Sequence, residues 1–131
     1  MRTLVASARV ARLATVSPDG RPHLVPICFV LLGDTVYTAV DHKPKRSRRL
    51  RRITNLQATG HASILIDEYA EDWSRLWWIR LDGPGRLAIN KEEAARALTA
   101  LGSKYPQYAV RPPEGLALAI DVHHWSCWSA T

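Results

Sequence analysis

The chain has 131 residues, 47% of them hydrophobic and 23% charged, with a formal net charge of +6. That length suits one domain, residues 1–131, with a core of its own, and the composition excludes a disordered polymer. The longest apolar run, Val25–Leu32, is broken by Pro26 and too short for a bilayer span, and no secretory leader is visible, so the protein is read as cytoplasmic with no membrane partner.

In chain order, Met1 to Val10 reads as a short helical lead-in. Arg12 to Val16 reads as a strand, closed by turn chemistry at Ser17-Pro18-Asp19-Gly20. Pro22 to Leu32 follows as a second strand, bent or at an edge near Pro26. A turn at Gly33-Asp34 leads to Thr35–Val40, dense in β-formers. A helix is expected from about Pro44 to Thr59, then a fourth strand over His61–Asp67 and an acidic loop over Asp67–Asp72. Trp77 to Ile89 is a fifth strand, kinked at Gly83-Pro84-Gly85. Lys91–Lys104 has helical periodicity through Ala94, Ala97, Leu98 and Leu101, with Asn90 as N-cap and Glu93 placed for a capping box. Tyr105–Gly115 is a connection, and Leu116–Trp128 a sixth strand. About six antiparallel strands with two or three helices predict a small barrel in an α+β domain.

The charge is not spread along this framework. Seven of the ten residues from Lys43 to Arg52 are basic, while the other eleven Lys and Arg face twelve Asp and Glu. One anionic partner at one place is the implication. Leu50, Ile53 and Leu56 recur near helical spacing, so the basic run opens an amphipathic helix whose N-terminus already favours anions. Composition alone leaves three readings of this run open: a solvated helix face, a nucleic-acid contact and a small-anion site. Few aromatic residues interleave with it, which speaks against a stacking-based nucleic-acid reader.

No Ser-His-Asp set, paired carboxylates or GxxxxGK loop is present, so no catalytic side chain is assigned. Cys28 and Cys127 are the only cysteines and read as free thiols, Cys28 as a small buried hydrophobe in an apolar run. Neither cysteine nor the adjacent His123-His124 pair has metal-ligand spacing, so no metal is expected. Five tryptophans, Trp73, Trp77, Trp78, Trp125 and Trp128, concentrate in the later strands and fit core and interface packing. Trp77 and Trp78 are adjacent and face opposite sides of a strand, so only one could wall a ligand. Tyr105 and Tyr108 stand either over a cleft or in loop packing.

Four stretches carry a resemblance: Ala14-Thr-Val-Ser-Pro-Asp-Gly-Arg-Pro-His-Leu-Val-Pro26, Tyr37-Thr-Ala-Val40, Lys45-Arg-Ser-Arg-Arg-Leu-Arg-Arg52 and Ala62-Ser-Ile-Leu-Ile66. In this order they are similar to the split β-barrel flavin-binding superfamily that includes pyridoxamine 5′-phosphate oxidase, and resemble most its deazaflavin (coenzyme F420)-dependent oxidoreductase branch. The resemblance implies a homodimer with two cofactor clefts at the interface. It implies that Lys45, Arg46, Ser47 and Arg48 hold a phosphate, with Arg51 and Arg52 nearby. Pro26, Ile27, Cys28 and Phe29 would present the second strand to the ring, and Thr38, Ala39, Val40 and Asp41 would line the linker and ring edge. Trp77 or Trp78 of the partner subunit would wall the ring or the substrate space.

Hydride chemistry in such a protein belongs to the cofactor, which fits the missing acid and base. F420 carries a phosphate and a polyglutamate tail, so a run wider than one phosphate needs points to F420, with FMN as the alternative and haem behind it. The implied function is hydride transfer from reduced F420 to a small conjugated acceptor, an enone, quinone or similar. The rivals are an FMN-dependent enzyme and an F420 carrier without dedicated turnover.

Overall fold

A computed structural model describes residues 1–40, 51–113 and 116–131. Among them the elements run α1 (Arg2–Ser7), β1 (Ala11–Val16), β2 (Pro22–Ile27), β3 (Val30–Leu32), β4 (Thr35–Ala39), α2 (Arg51–Ala58), β5 (His61–Glu68), a 3-10 turn (Trp73–Arg75), β6 (Trp77–Leu87), α3 (Lys91–Lys104), α4 (Pro106–Val110), β7 (Ala117–Asp121) and β8 (His124–Ser129). The α+β class and the antiparallel sheet are as expected, but eight strands stand where about six were predicted. The expected second strand breaks at Cys28-Phe29 and the expected sixth at Val122-His123. Both breaks are places where the chain passes from one half of the sheet to the other, a tertiary event that apolar patterning does not record. The expected start of the basic helix, Pro44 to Leu50, lies outside the described residues. No described helix is long and apolar enough to cross a membrane.

Strand β6 organises the barrel. Its first half pairs with β5 and β8, from Glu68↔Trp77 to His61↔Pro84 and from Trp77↔Ser129 to Asp82↔His124. Its last residues, Gly85–Leu87, pair instead with β7. The switch occurs at the Gly83-Pro84-Gly85 kink, and it splits the sheet into a β2-β1-β5-β6-β8 half and a β6-β7-β4-β3 half. A side chain at Gly83 is not accommodated, because a Cβ there would stand 1.9 Å from the Asp121 carbonyl oxygen. His123 donates its backbone N–H to Asp82 O at 2.9 Å beside this crossing.

Leu13, Phe29, Ile64, Ile66, Leu81 and Ile120 are fully buried in the barrel interior. Such side chains contribute about 1.5–3 kcal/mol each relative to exposure. α3 covers the second half through Ala97 and Leu101, packed with Val30, Tyr37, Ala39 and Ala119. Asn90 caps it as expected, its Oδ1 accepting the Glu93 N–H at 2.9 Å. The Glu93 carboxylate does not complete the box, because Arg86 on β6 holds it bidentately at 2.9 and 2.8 Å and Tyr37 donates its hydroxyl to it. Arg86 also binds Asp121, by Nε to Oδ2 at 2.8 Å, so one guanidinium ties α3 to β6 and β7.

The Arg86 and Tyr37 hydrogen bonds push the Glu93 carboxyl down from 4.5 to about 2. A depressed carboxylate adds stability above its unfolded value, and that stability is lost as pH falls towards the folded value. Wild type should therefore lose stability between roughly pH 4.5 and pH 2 through this site. Denaturant midpoints across that window should fall less steeply for Glu93→Gln, and equal slopes would remove Glu93 from the acid response.

Candidate functional site

The two ends of the basic segment are held together by one apolar cluster. Val40, the last described residue before it, is buried with Ile53, Leu56 and Leu118, with Ala62 and Leu87 packed alongside. α2 therefore sits against the barrel just where β4 ends. Its seat is close: a Cβ at Gly85 would meet Leu56 Cδ2 at 2.6 Å, so a larger residue there would make the Leu56 side chain shift. Gly60, at φ 74, ends the helix in the left-handed conformation that glycine adopts freely, and its carbonyl accepts the Gly85 N–H at 2.9 Å.

Polar anchors complete the seat. Asn55 is 1% exposed and donates Nδ2 to Thr15 Oγ1 at 3.0 Å, and Thr59 Oγ1 donates to the Val16 carbonyl at 3.1 Å. Arg51 is exposed and Arg52 half-buried on this anchored helix. Asp41, Lys45, Arg46, Ser47 and Arg48 lie outside the described residues.

Around the β2–β3 junction, Pro26 and Cys28 are exposed, whereas Ile27 and Phe29 point into the barrel core. Cys28 thus departs from the buried residue expected. β2 ends at Ile27 and the alternation places Phe29, not the thiol, in the interior. Thr38, Ala39 and Val40 are buried as well, and Thr38 Oγ1 donates to the Cys28 carbonyl at 2.7 Å. From this region a ligand would meet backbone, Pro26 and Cys28, not the side chains of β4.

The outer face of the β2-β1-β5-β6-β8 half mixes exposed large hydrophobic residues with charged ones. Register puts Pro26, Arg12, Leu65, Arg80 and Ser126 in one row, and Asp67, Trp78 and Trp128 in another. Leu24 is 66% and Trp128 47% exposed there. Charges on this face are largely paired, Arg12 with Asp67 and Arg80 with Asp82, at 3.3 and 3.2 Å. At the far end of the β5–β6 hairpin the face dips into a groove of about 370 Å³, lined by Trp77, Trp78, Trp128, Leu65, Leu76 and Tyr69, with Asp67, Glu68 and Arg80 supplying charge.

Both tryptophans border this groove. The groove lies where β6 starts after Leu76, so it takes atoms from both sides of the strand, and Trp77 Nε1 donates to Glu68 Oε1 at 3.1 Å. Tyr69 and Leu65 were not expected to line a groove, and Trp128 was expected only as core or interface packing. Leu65 lies one residue out of phase with the buried Ile64 and Ile66, and that was the available signal.

Within one chain the groove and α2 are not brought together. α2 packs at the His61 end of β5, whereas the groove is lined from Leu65 to Glu68, four to seven residues further along the strand. At ~3.3 Å per residue the separation runs from roughly 13 Å at Leu65 to roughly 23 Å at Glu68.

A family model described as Pyridoxamine 5′-phosphate oxidase matches residues 1–129. Among solved structures, the chain is similar to conserved hypothetical protein Rv2991 of Mycobacterium tuberculosis, with a TM-score of 0.78 and 18% identity over 98% of this chain and 82% of that one. It is similar to HutZ, the heme storage protein of Vibrio cholerae, with a TM-score of 0.75 and 16% identity over 98% and 90%. A FAD-binding protein of Mesorhizobium loti gives a TM-score of 0.71 and 18% identity over 95% and 88%. These identities establish a shared fold. A search of curated proteins found no match.

Proposed function

Because the chain belongs to the pyridoxamine 5′-phosphate oxidase family, we propose that it is a cytoplasmic, homodimeric F420-dependent oxidoreductase that passes hydride to a small conjugated acceptor such as an enone or quinone. The observation that carries this reading is the common anchoring of Val40, Ile53 and Leu56, which holds both ends of the basic segment against the barrel. Cations leading into an anchored helix suit a ligand with a fixed phosphate and a longer anionic tail. Lys45, Arg46, Ser47 and Arg48 would take the phosphate, and the tail would run towards Arg51 and Arg52.

The donor set fits such a group: cations at one end, apolar and aromatic walls at the other, and no side chain required for acid–base work. F420, when bound, supplies the hydride chemistry itself. The protein's part is to orient the ring on the Pro26–Phe29 backbone and to exclude water. A single chain does not do the second, since its aromatic groove begins at Leu65, roughly 13 Å along β5 from the end where α2 packs. A two-fold copy packed on the exposed apolar face would carry the partner's groove towards this chain's helix, and would bury Leu24, Leu65 and Trp128.

A flavin in the same place is the second reading, favoured by the similarity to a FAD-binding protein. The likeness to a heme storage protein keeps open a role in holding a cofactor without turnover. Titrating F420 and FMN at low and high salt, with light scattering on the same samples, separates these. A dimer is expected, with F420 bound more tightly than FMN and the gap shrinking with salt, because exposed charges are screened within about 8 Å at physiological ionic strength. Equal affinities at low salt would sink the deazaflavin assignment, and a monomer with cofactor bound would sink the shared cleft.

A further inference from the structure

The groove where β5 ends and β6 begins carries a pattern of paired charge. Its walls are aromatic, from Trp77, Trp78, Trp128 and Tyr69, and Asp67, Glu68 and Arg80 stand among them. Each of these three charges is tied to a residue that does not line the groove. Asp67 pairs with Arg12 and Glu68 with Arg75, both at 3.3 Å, and Arg80 pairs with Asp82 at 3.2 Å. Three carboxylates thus meet three guanidiniums, and the groove presents no unmatched charge. Two of its polar groups are occupied in the same way: Trp77 Nε1 donates to Glu68 at 3.1 Å, and the Tyr69 hydroxyl accepts from Trp73 Nε1 at 3.3 Å. The indole N–H groups of Trp78 and Trp128, which face each other across β6 and β8, make no hydrogen bond to a described residue.

We propose that this groove binds an uncharged planar compound of one or two fused rings bearing a conjugated carbonyl, and that Arg12, Arg75 and Asp82 set its charge selectivity from outside the lining. This deepens the reading above, in which that compound is the hydride acceptor, and rests on it for that role alone.

Size and charge both lead to this class. A volume of about 370 Å³ lies near the lower end for small-molecule sites, which suits one or two rings. A charged ligand would exchange its water shell for aromatic walls without finding a free counter-charge, which is costly. An anion would face Asp67 and Glu68, and a cation would face Arg80. An uncharged ring loses little on leaving water and gains apolar burial and stacking on the indoles. Its carbonyl oxygen can accept from the N–H donors that Trp78 and Trp128 leave unused.

The test uses nitrogen-15-labelled protein without cofactor. The five tryptophans give five indole signals, assigned with single Trp→Phe variants. Chromone is the uncharged probe, chromone-2-carboxylate the anionic one and N-methylquinolinium the cationic one. Chromone should shift the Trp78 and Trp128 signals saturably and bind ~10-fold or more tightly than either charged probe. Arg75→Gln removes an exposed side chain and leaves Glu68 without its guanidinium. That variant should strengthen N-methylquinolinium binding severalfold with chromone unchanged. A chromone titration that moves neither indole signal would overturn the proposal, as it would if a second copy of the chain filled the groove. A charged probe binding as tightly as chromone, or an Arg75→Gln variant with unaltered preference, would overturn the charge selectivity. F420 titrated into the same protein separates the two readings. Chromone binding without F420 binding removes the acceptor role and keeps the site, whereas F420 binding without chromone binding does the reverse.

Discussion

Gly83→Ala is expected to cost about 3 kcal/mol or more, at the upper end of overpacking effects. The obstacle is backbone and not a flexible side chain: the new methyl would stand 1.9 Å from the Asp121 carbonyl oxygen and 3.1 Å from the His123 nitrogen. Relief requires β6 to move from the β7–β8 crossing, which would strain the Asp82–His123 bond and the Asp82↔His124 register together. Gly102→Ala is the contrasting case. It lies inside α3 with its nearest foreign atom at 4.0 Å, so it should gain up to about 1 kcal/mol from helix propensity. Urea midpoints of the two variants should move in opposite directions, and a wild-type midpoint for Gly83→Ala would mean that the crossing is not a close contact.

Lys45→Ala and Arg48→Ala should each weaken F420 binding roughly ten- to a hundredfold while leaving the fold intact. Charge-assisted contacts to phosphate are worth about 1.5–3 kcal/mol apiece, which converts to that range of affinity. The fold should survive because α2 is held by Ile53, Asn55 and Leu56, none of which the substitutions touch. Isothermal titration gives the affinity and circular dichroism the fold. Unchanged affinity in both variants would place the phosphate elsewhere on the chain and remove the main support for the cofactor assignment.

Much of the framework was legible along the chain because its signals are local. Turn chemistry at Ser17–Gly20 and Gly33, the Asn90 cap and the period of α3 each depend on neighbours a few residues away, and each recurs in the structure. The splitting of two strands was not legible. Cys28-Phe29 and Val122-His123 carry no turn residue, and they break only because the barrel closes there. The same cause exposes Cys28, which an apolar run hides from pattern reading. Glu93 shows a local signal overruled: its side chain has a capping-box position, but Arg86, seven residues back, binds it instead.

By itself the sequence determined the α+β class, the position of most elements and the concentration of positive charge before α2, since periodicity, turn residues and net charge are properties of contiguous chain. The tertiary structure alone decided which residues share a face. Strand register placed Leu24, Leu65, Trp78 and Trp128 on one uncovered surface, and it set the aromatic groove and the basic helix at opposite ends of the β5–β6 hairpin. Period-two alternation says that a residue is on one side or the other, but hydrogen-bonded pairing between distant strands chooses its neighbours.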